Sequence, residues 1–387
     1  MSSETSRRGV VVGALGTTQT LAWASSYYLP AILAEDMANA AGVPRAWVFG
    51  AFSGALLLTA ALGPWVGRTI DRRGGRGVLA ASNIVFAIGL AVLGASNGIA
   101  SQCAAWVVLG IGMALGLYDA AFATLAGIYG RAARGPITGI TLIAGFASTV
   151  GWPLSALLDA QFGWRGACFA WAAMHVVIGL PVNLLLLPRS AHAAQHAEQS
   201  PASWEPRREM ILLAYVFAAA WFVTGAMAAH LPALFEMMGA TTVQAVAAAA
   251  LVGPAQVAAR LAEFIIMRRI HPLVSARIAA AMHPIGAAVM AAFGSPAIAA
   301  FALLHGAGNG LLTIARGTVP LALFGPENYG ARTGLLGAPA RAAQAAAPLL
   351  FGLLLDSMGR WVLAVSAGLC LSALAVLFLL RASKTDV

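Results

Sequence analysis

Four charged side chains sit where water is scarce. Asp119, Arg260, Arg316 and Arg341 each lie inside an apolar stretch of a 387-residue chain that is 60% hydrophobic and 10% charged. A charge at bilayer depth costs at least about 2.5 to 3.5 kcal/mol, so such residues turn to a partner or a water-filled cavity. One acid against three guanidiniums leaves two positive charges in excess. A guanidinium holds a carboxylate or phosphate through two parallel N–H···O bonds, a geometry an ammonium does not copy. The chemistry on offer is recognition of an anion. Asp119 is expected to pair with Arg341 or Arg316 as a gate; carrying a coupling proton is the other reading of that carboxylate. Arg316, about two turns from the end of its stretch, suits a structural or gating role, and for Arg260 the bland alternative is snorkelling to the interface.

Polar and aromatic groups could complete a pocket: Gln19, Trp23, Tyr27 and Tyr28 in the first stretch and Tyr118 in the fourth. Single aromatic residues at these depths also serve packing or interfacial anchoring. His230, His283 and His305 are scattered over three stretches without metal-ligand spacing, and His305, beside Gly306 and Asn309, is the functional candidate among them. Cys103, Cys168 and Cys370 fall inside apolar runs with no paired spacing, so neither a disulfide framework nor a zinc site is expected. No metal or cofactor is implied, and no nucleophile–base pair suggests an enzyme.

The elements that must position these residues are long apolar helices. Residues 9–34, 47–69, 77–97, 102–129, 136–159 and 166–188 form one set, and 210–238, 242–267, 273–294, 296–324, 333–356 and 361–380 a second. About 20 apolar residues cross a hydrocarbon core roughly 30 Å thick. The expected fold is therefore all-α and integral to the membrane, with twelve spans in two six-helix bundles, 1–188 and 210–387, joined by a polar linker at 189–209. The first stretch is too long and too polar for a secretory signal.

A net charge of +9 would suggest nucleic acid in a soluble protein. Here the basic residues, 22 Arg and Lys384, gather in alternate loops: seventeen lie at the termini and even-numbered loops, while only Arg45, Arg165 and Arg360 lie opposite. By the positive-inside rule both termini and the linker are cytoplasmic. Arginine-only, alanine-rich usage suggests a bacterial inner membrane.

The two halves repeat. Thr138-Gly139 followed by Pro153 returns as Thr333-Gly334 followed by Pro348, at a constant offset of 195 residues, and Asp159 before Trp164-Arg165 returns as Asp356 before Arg360-Trp361. This phasing lays the fifth span over the eleventh, as in parallel repeats about an axis along the membrane normal.

The loop after the second span reads Gly67-Arg68-Thr69-Ile70-Asp71-Arg72-Arg73-Gly74-Gly75-Arg76. It resembles the signature of the major facilitator superfamily, in which a glycine, an acid and basic residues recur at this spacing. Gly67 would let the loop turn against its neighbours, Asp71 would meet a cation or a helix amino end, and Arg72 would stay in the cytoplasm, the pair acting in gating. Within that superfamily the chain is similar to the branch of oxalate/formate antiporters and monocarboxylate transporters. The residues that carry this are Val43 to Leu79, Tyr118 with Tyr129-Gly130-Arg131-Ala132-Ala133-Arg134-Gly135, and Gly163-Trp164-Arg165.

The resemblance implies a secondary transporter of a small organic anion, working by alternating access and as a monomer. It places Arg260 where the branch has its carboxylate-binding arginine of span eight and makes Arg341 the counterpart of a cation on span eleven. Tyr27 and Tyr118, with Gln19, Gln256 and His305, would line the substrate. The chain departs from the branch at Gln256, where the monocarboxylate transporters carry an acid for proton coupling, and it lacks their span-one lysine. Exchange or uniport gains ground accordingly. Efflux of acidic or neutral drugs is the competing function, and a membrane-embedded enzyme is a weaker one.

Overall fold

The computed structural model describes residues 2–188, 208–267 and 270–380. Residues 189–207 of the linker, Arg268, Arg269, Arg381 and Lys384 lie outside the described residues. Among the described residues the elements are α1 Ser2–Ala22, α2 Leu29–Ala41, α3 Arg45–Arg73, α4 Gly75–Gly94, α5 Ile99–Gly116, α6 Tyr118–Tyr129, α7 Arg134–Ile143, α8 Ala147–Met174 and α9 Leu180–Leu186. There follow α10 Arg208–Met237, α11 Thr242–Ala250, α12 Val252–Ile265, α13 Pro272–Phe293, α14 Ile298–Phe324, α15 Tyr329–Met358 and α16 Val362–Leu379. Joined end to end across short kinks, and with α8 divided at non-helical Gly163 (φ 68°, ψ 167°), they make twelve rods among the described residues. Helices satisfy every backbone group internally, which is what hydrocarbon demands.

Among the described residues eight continuous stretches are long and apolar enough to cross a membrane, and two of them, of 88 and 51 residues, hold more than one crossing. Their outer faces keep large apolar groups exposed, such as Leu185, Ile265 and Leu349. That surface suits lipid.

The helices depart from uniform rods in four places that bear on function. The first rod contains a π-helical segment, Trp23–Tyr27, between α1 and α2, and the sixth contains another, His175–Gly179. The fourth stretch, expected to be continuous over 102–129, breaks at Leu117, whose extended backbone (ψ −174°) ends α5 and starts α6. The eighth breaks at Leu251, just ahead of Pro254, whose missing N–H is harmless in a first turn.

The signature loop is shorter than expected. Helix α3 runs through to Arg73, so Gly67 and Asp71 are helical and the turn to α4 is Gly74 alone. Its backbone (φ 76°, ψ 159°) lies in a region open to glycine only. Gly74→Ala is expected to cost about 1 to 3 kcal/mol and to lower the melting temperature of the purified protein in detergent. A melting temperature equal to the wild type's would contradict this.

The chain divides into two compact units, one of residues 1–202 with 324–338, the other of 203–323 with 339–387. The start of α15 thus groups with the first unit. Inside that unit the close approach of α3 and α5 is pinned by Thr59, whose hydroxyl donates to Ala55 O (2.8 Å) and Gly110 O (2.9 Å). Inside the second unit Gly306 and Gly310, one turn apart on α14, let its backbone press on Val252 and Gln256; a Cβ on Gly306 would lie 2.6 Å from Val252 O. Small residues at this spacing are the usual means of packing helices where lipid removes the hydrophobic drive.

Candidate functional site

In the second unit the glycine stripe of α14 brings Thr313 up to α12. Arg260 projects from α12, is 6% exposed, and donates through Nη2 to Gln256 Oε1 (3.3 Å) one turn earlier and to Thr313 Oγ1 (3.4 Å). The hydroxyl of Thr313 in turn donates to Asn309 O (2.9 Å). Both contacts run through Nη2 and so steer one arm of the guanidinium, whose planar fork suits bidentate capture of a planar anion. Arg316, also buried, lies with its guanidinium carbon 4.9 Å from the centroid of the Trp221 ring, a cation–π contact across α14 and α10. Arg341 is equally buried on α15.

One charge was missed in the sequence. Glu263, three residues beyond Arg260, is 1% exposed and accepts from Ser275 Oγ (2.9 Å) through Oε2. The inventory of one acid and three arginines therefore becomes two acids and three arginines. Within the second unit Arg260, Arg316 and Arg341 stand against Glu263, which leaves two positive charges in excess among the described buried residues. The signal was present as an acid one turn from an arginine in an apolar run.

The histidines add a contact that their separation in sequence hid. His283 on α13 and His305 on α14 meet, with their Nδ1 atoms 3.0 Å apart. His230 stands elsewhere, bonded to Pro348 O (2.7 Å).

The first unit assembles the aromatic group around Trp23. Its ring centroid lies 5.1 Å from that of Tyr27 and 4.9 Å from that of Tyr118, and Tyr27 and Tyr118 extend the set to Phe52 (5.3 Å) and Phe122 (5.2 Å). The π-helical turn and the break at Leu117 make this possible by turning Tyr27 and Tyr118 toward the same indole. Gln19, 1% exposed, donates through Nε2 to Gly116 O beside that break. Asp119 occupies the first turn of α6, where the helix dipole favours a carboxylate.

Nearby, His175 is fully buried and fixed in one tautomer. Asn83 Nδ2 donates to Leu79 O (2.8 Å), so its Oδ1 accepts from His175 Nδ1 (2.9 Å), and His175 Nε2 accepts from Ser25 Oγ (2.7 Å). This ties the two π-helical segments together.

At the other end of α3, Asp71 caps the amino end of α15. Its Oδ1 accepts from Gly330 N and its Oδ2 from Ala331 N, both at 2.8 Å. Of the two partners envisaged for this acid, the structure shows the helix amino end. Gly67 and Gly330 allow it, since a Cβ on Gly67 would overlap Gly330 O. Arg72 is exposed.

The architecture has known counterparts. The human organic anion transporter MFSD10 (TETRAN) superposes with a TM-score of 0.73 at 20% identity, over 96% of this chain and 99% of its own. The E. coli fucose:proton symporter FucP superposes with a TM-score of 0.72 at 14% identity, over 95% of this chain and 97% of its own. No curated protein matches the chain by sequence. The Major Facilitator Superfamily matches over residues 15–303, so the chain belongs to that superfamily and is a multi-pass membrane transporter of a small molecule, not an enzyme.

Proposed function

We propose that the chain carries a small organic anion, of monocarboxylate or dicarboxylate type, by alternating access, as in the oxalate/formate and monocarboxylate branch. The observation that carries this reading is the excess of buried guanidinium over carboxylate in the second unit. Arg260, oriented by Gln256 and Thr313, binds the carboxylate, with Arg341 as the second cation. Within the first unit, Tyr27, Tyr118 and Gln19 are the residues assigned to substrate binding. Asp119 and Arg316 act in gating or coupling, and Asp71 with Arg72 in gating on the cytoplasmic side. The description of MFSD10 as an organic anion transporter supports the substrate class. We place the chain as a monomer in a bacterial inner membrane, with both termini cytoplasmic and domains at 1–188 and 210–387.

Uptake of labelled oxalate, lactate and formate into proteoliposomes tests this directly, and at least one of the three is expected to enter saturably. Failure of all three, alongside transport of a neutral compound, would overturn the assignment. Asp119→Asn is expected to slow that uptake at least tenfold. An unchanged rate and affinity would remove Asp119 from both gating and coupling.

A further inference from the structure

His283 and His305 are 4% and 5% exposed, and they are buried against each other. Two ring nitrogens 3.0 Å apart share one hydrogen, and the surrounding bonds say which ring owns it. Ser366 Oγ donates to Leu363 O (3.0 Å), so it accepts from His283 Nε2, also 3.0 Å away. Neutral His283 therefore carries its hydrogen on Nε2 and offers Nδ1 as an acceptor. His305 supplies Nδ1–H to it. That is the one hydrogen bond His305 makes to described residues, and its Nε2 keeps a lone pair.

Beside the pair lies a cavity of about 20 Å³, bordered by both imidazoles, Thr224, Asn309 and Cys370. One water needs roughly 10 to 15 Å³ and two or more polar partners, so this space suits a single water. The groups facing the pair can be named for each helix around it. Helix α16 contributes Cys370 and Ser366, and α10 contributes Thr224; α12 presses on Gly306 with Val252 and Ala255, which do not titrate. Phe301 stacks on His305. No carboxylate or guanidinium borders the cavity among the described residues. Arg260 reaches Thr313, eight residues along α14 from His305, roughly 12 Å away by helical rise. Arg316 is three residues further.

From this geometry we infer that the His283–His305 pair is a proton-binding site that holds one proton and couples its movement to transport. A proton from the cavity water adds to the His305 Nε2 lone pair and forms an imidazolium, and it leaves by the same atom. No existing hydrogen bond breaks, because His305 Nδ1–H goes on donating to His283 and His283 Nε2–H to Ser366. A third positive charge added to the excess of this unit is disfavoured until an anion arrives, so proton and anion bind cooperatively and travel together. The anion coupling rests on the function proposed above. The proton site does not.

The test uses the full chain and separates the two. Without substrate, a step from about pH 7 to pH 4 on a supported membrane is expected to displace charge into the wild-type protein. His283→Gln and His305→Gln should cut that charge at least fivefold, and an undiminished charge would overturn the site. If either variant fails to fold, histidine-labelled wild-type protein decides by NMR. The pair is identified through the coupling across its shared hydrogen, and one ring must gain a second proton over the same range; neither doing so overturns the site. With substrate, weakly buffered protein should take up one proton per anion bound, and the ratio should fall at least fivefold in the variants. Anion binding without proton uptake overturns the coupling. A wild type that transports no organic anion overturns the proposed function and leaves the charge measurement to judge the site.

Discussion

Arg260→Gln is expected to lower uptake of a carboxylate substrate about 100-fold, through the Michaelis constant more than the turnover rate, and Arg260→Lys is expected to recover less than a tenth of that loss. A factor of 100 is about 2.8 kcal/mol, within the reach of one or two charge-assisted hydrogen bonds at about 1.5 to 3 kcal/mol each. Lysine fails because Gln256 and Thr313 steer one arm of a planar fork that offers paired N–H groups, and an ammonium is a point charge with no such fork. Proteoliposome kinetics with labelled anion check this. An equal fall in turnover with an unchanged Michaelis constant would assign Arg260 to the conformational step instead.

The opposite kinetic pattern is expected at the amino end of α15. Asp71→Asn replaces a carboxylate that takes two N–H groups at 2.8 Å with an amide that can take one and turns its own NH₂ toward the other. Turnover should fall at least tenfold while the Michaelis constant stays within threefold, because these groups grip a helix end and not the substrate. Gly67→Val should match it by a different route, since the added side chain overlaps the backbone of Gly330. If Asp71→Asn raised the Michaelis constant and spared turnover, the helix cap would have no part in gating.

Hydropathy alone placed all twelve rods, because the need to span hydrocarbon is written into every residue of a span and tolerates errors of several positions. The interruptions were not legible. Leu117 is an ordinary helix former, and its extended backbone answers to the packing around Tyr118 and Gln19. The extent of α3 through Asp71 was misjudged for a related reason: a run of arginines reads as solvent, yet it can cap a helix as well as leave it. Glu263 went unnoticed because an acid in an apolar run looks like an interfacial residue until Ser275, twelve residues on and on another helix, is seen to hold it. His283 and His305, 22 residues apart, illustrate the same limit, since nothing in their spacing predicts that α13 and α14 bring them into register.

The π-helical turn at Trp23–Tyr27 has a consequence for how this chain is matched to its relatives. A regular helix advances about 100° per residue, so a turn holding one more residue than its neighbours shifts the numbering of everything after it by one position relative to a helix without it. A relative whose first rod is α-helical throughout would present, at the place filled by Tyr27, the residue that a gapless alignment sets opposite Ser26. Transfer of a residue's role along this rod is sound up to Ala22, and beyond it only after a one-residue gap has been allowed.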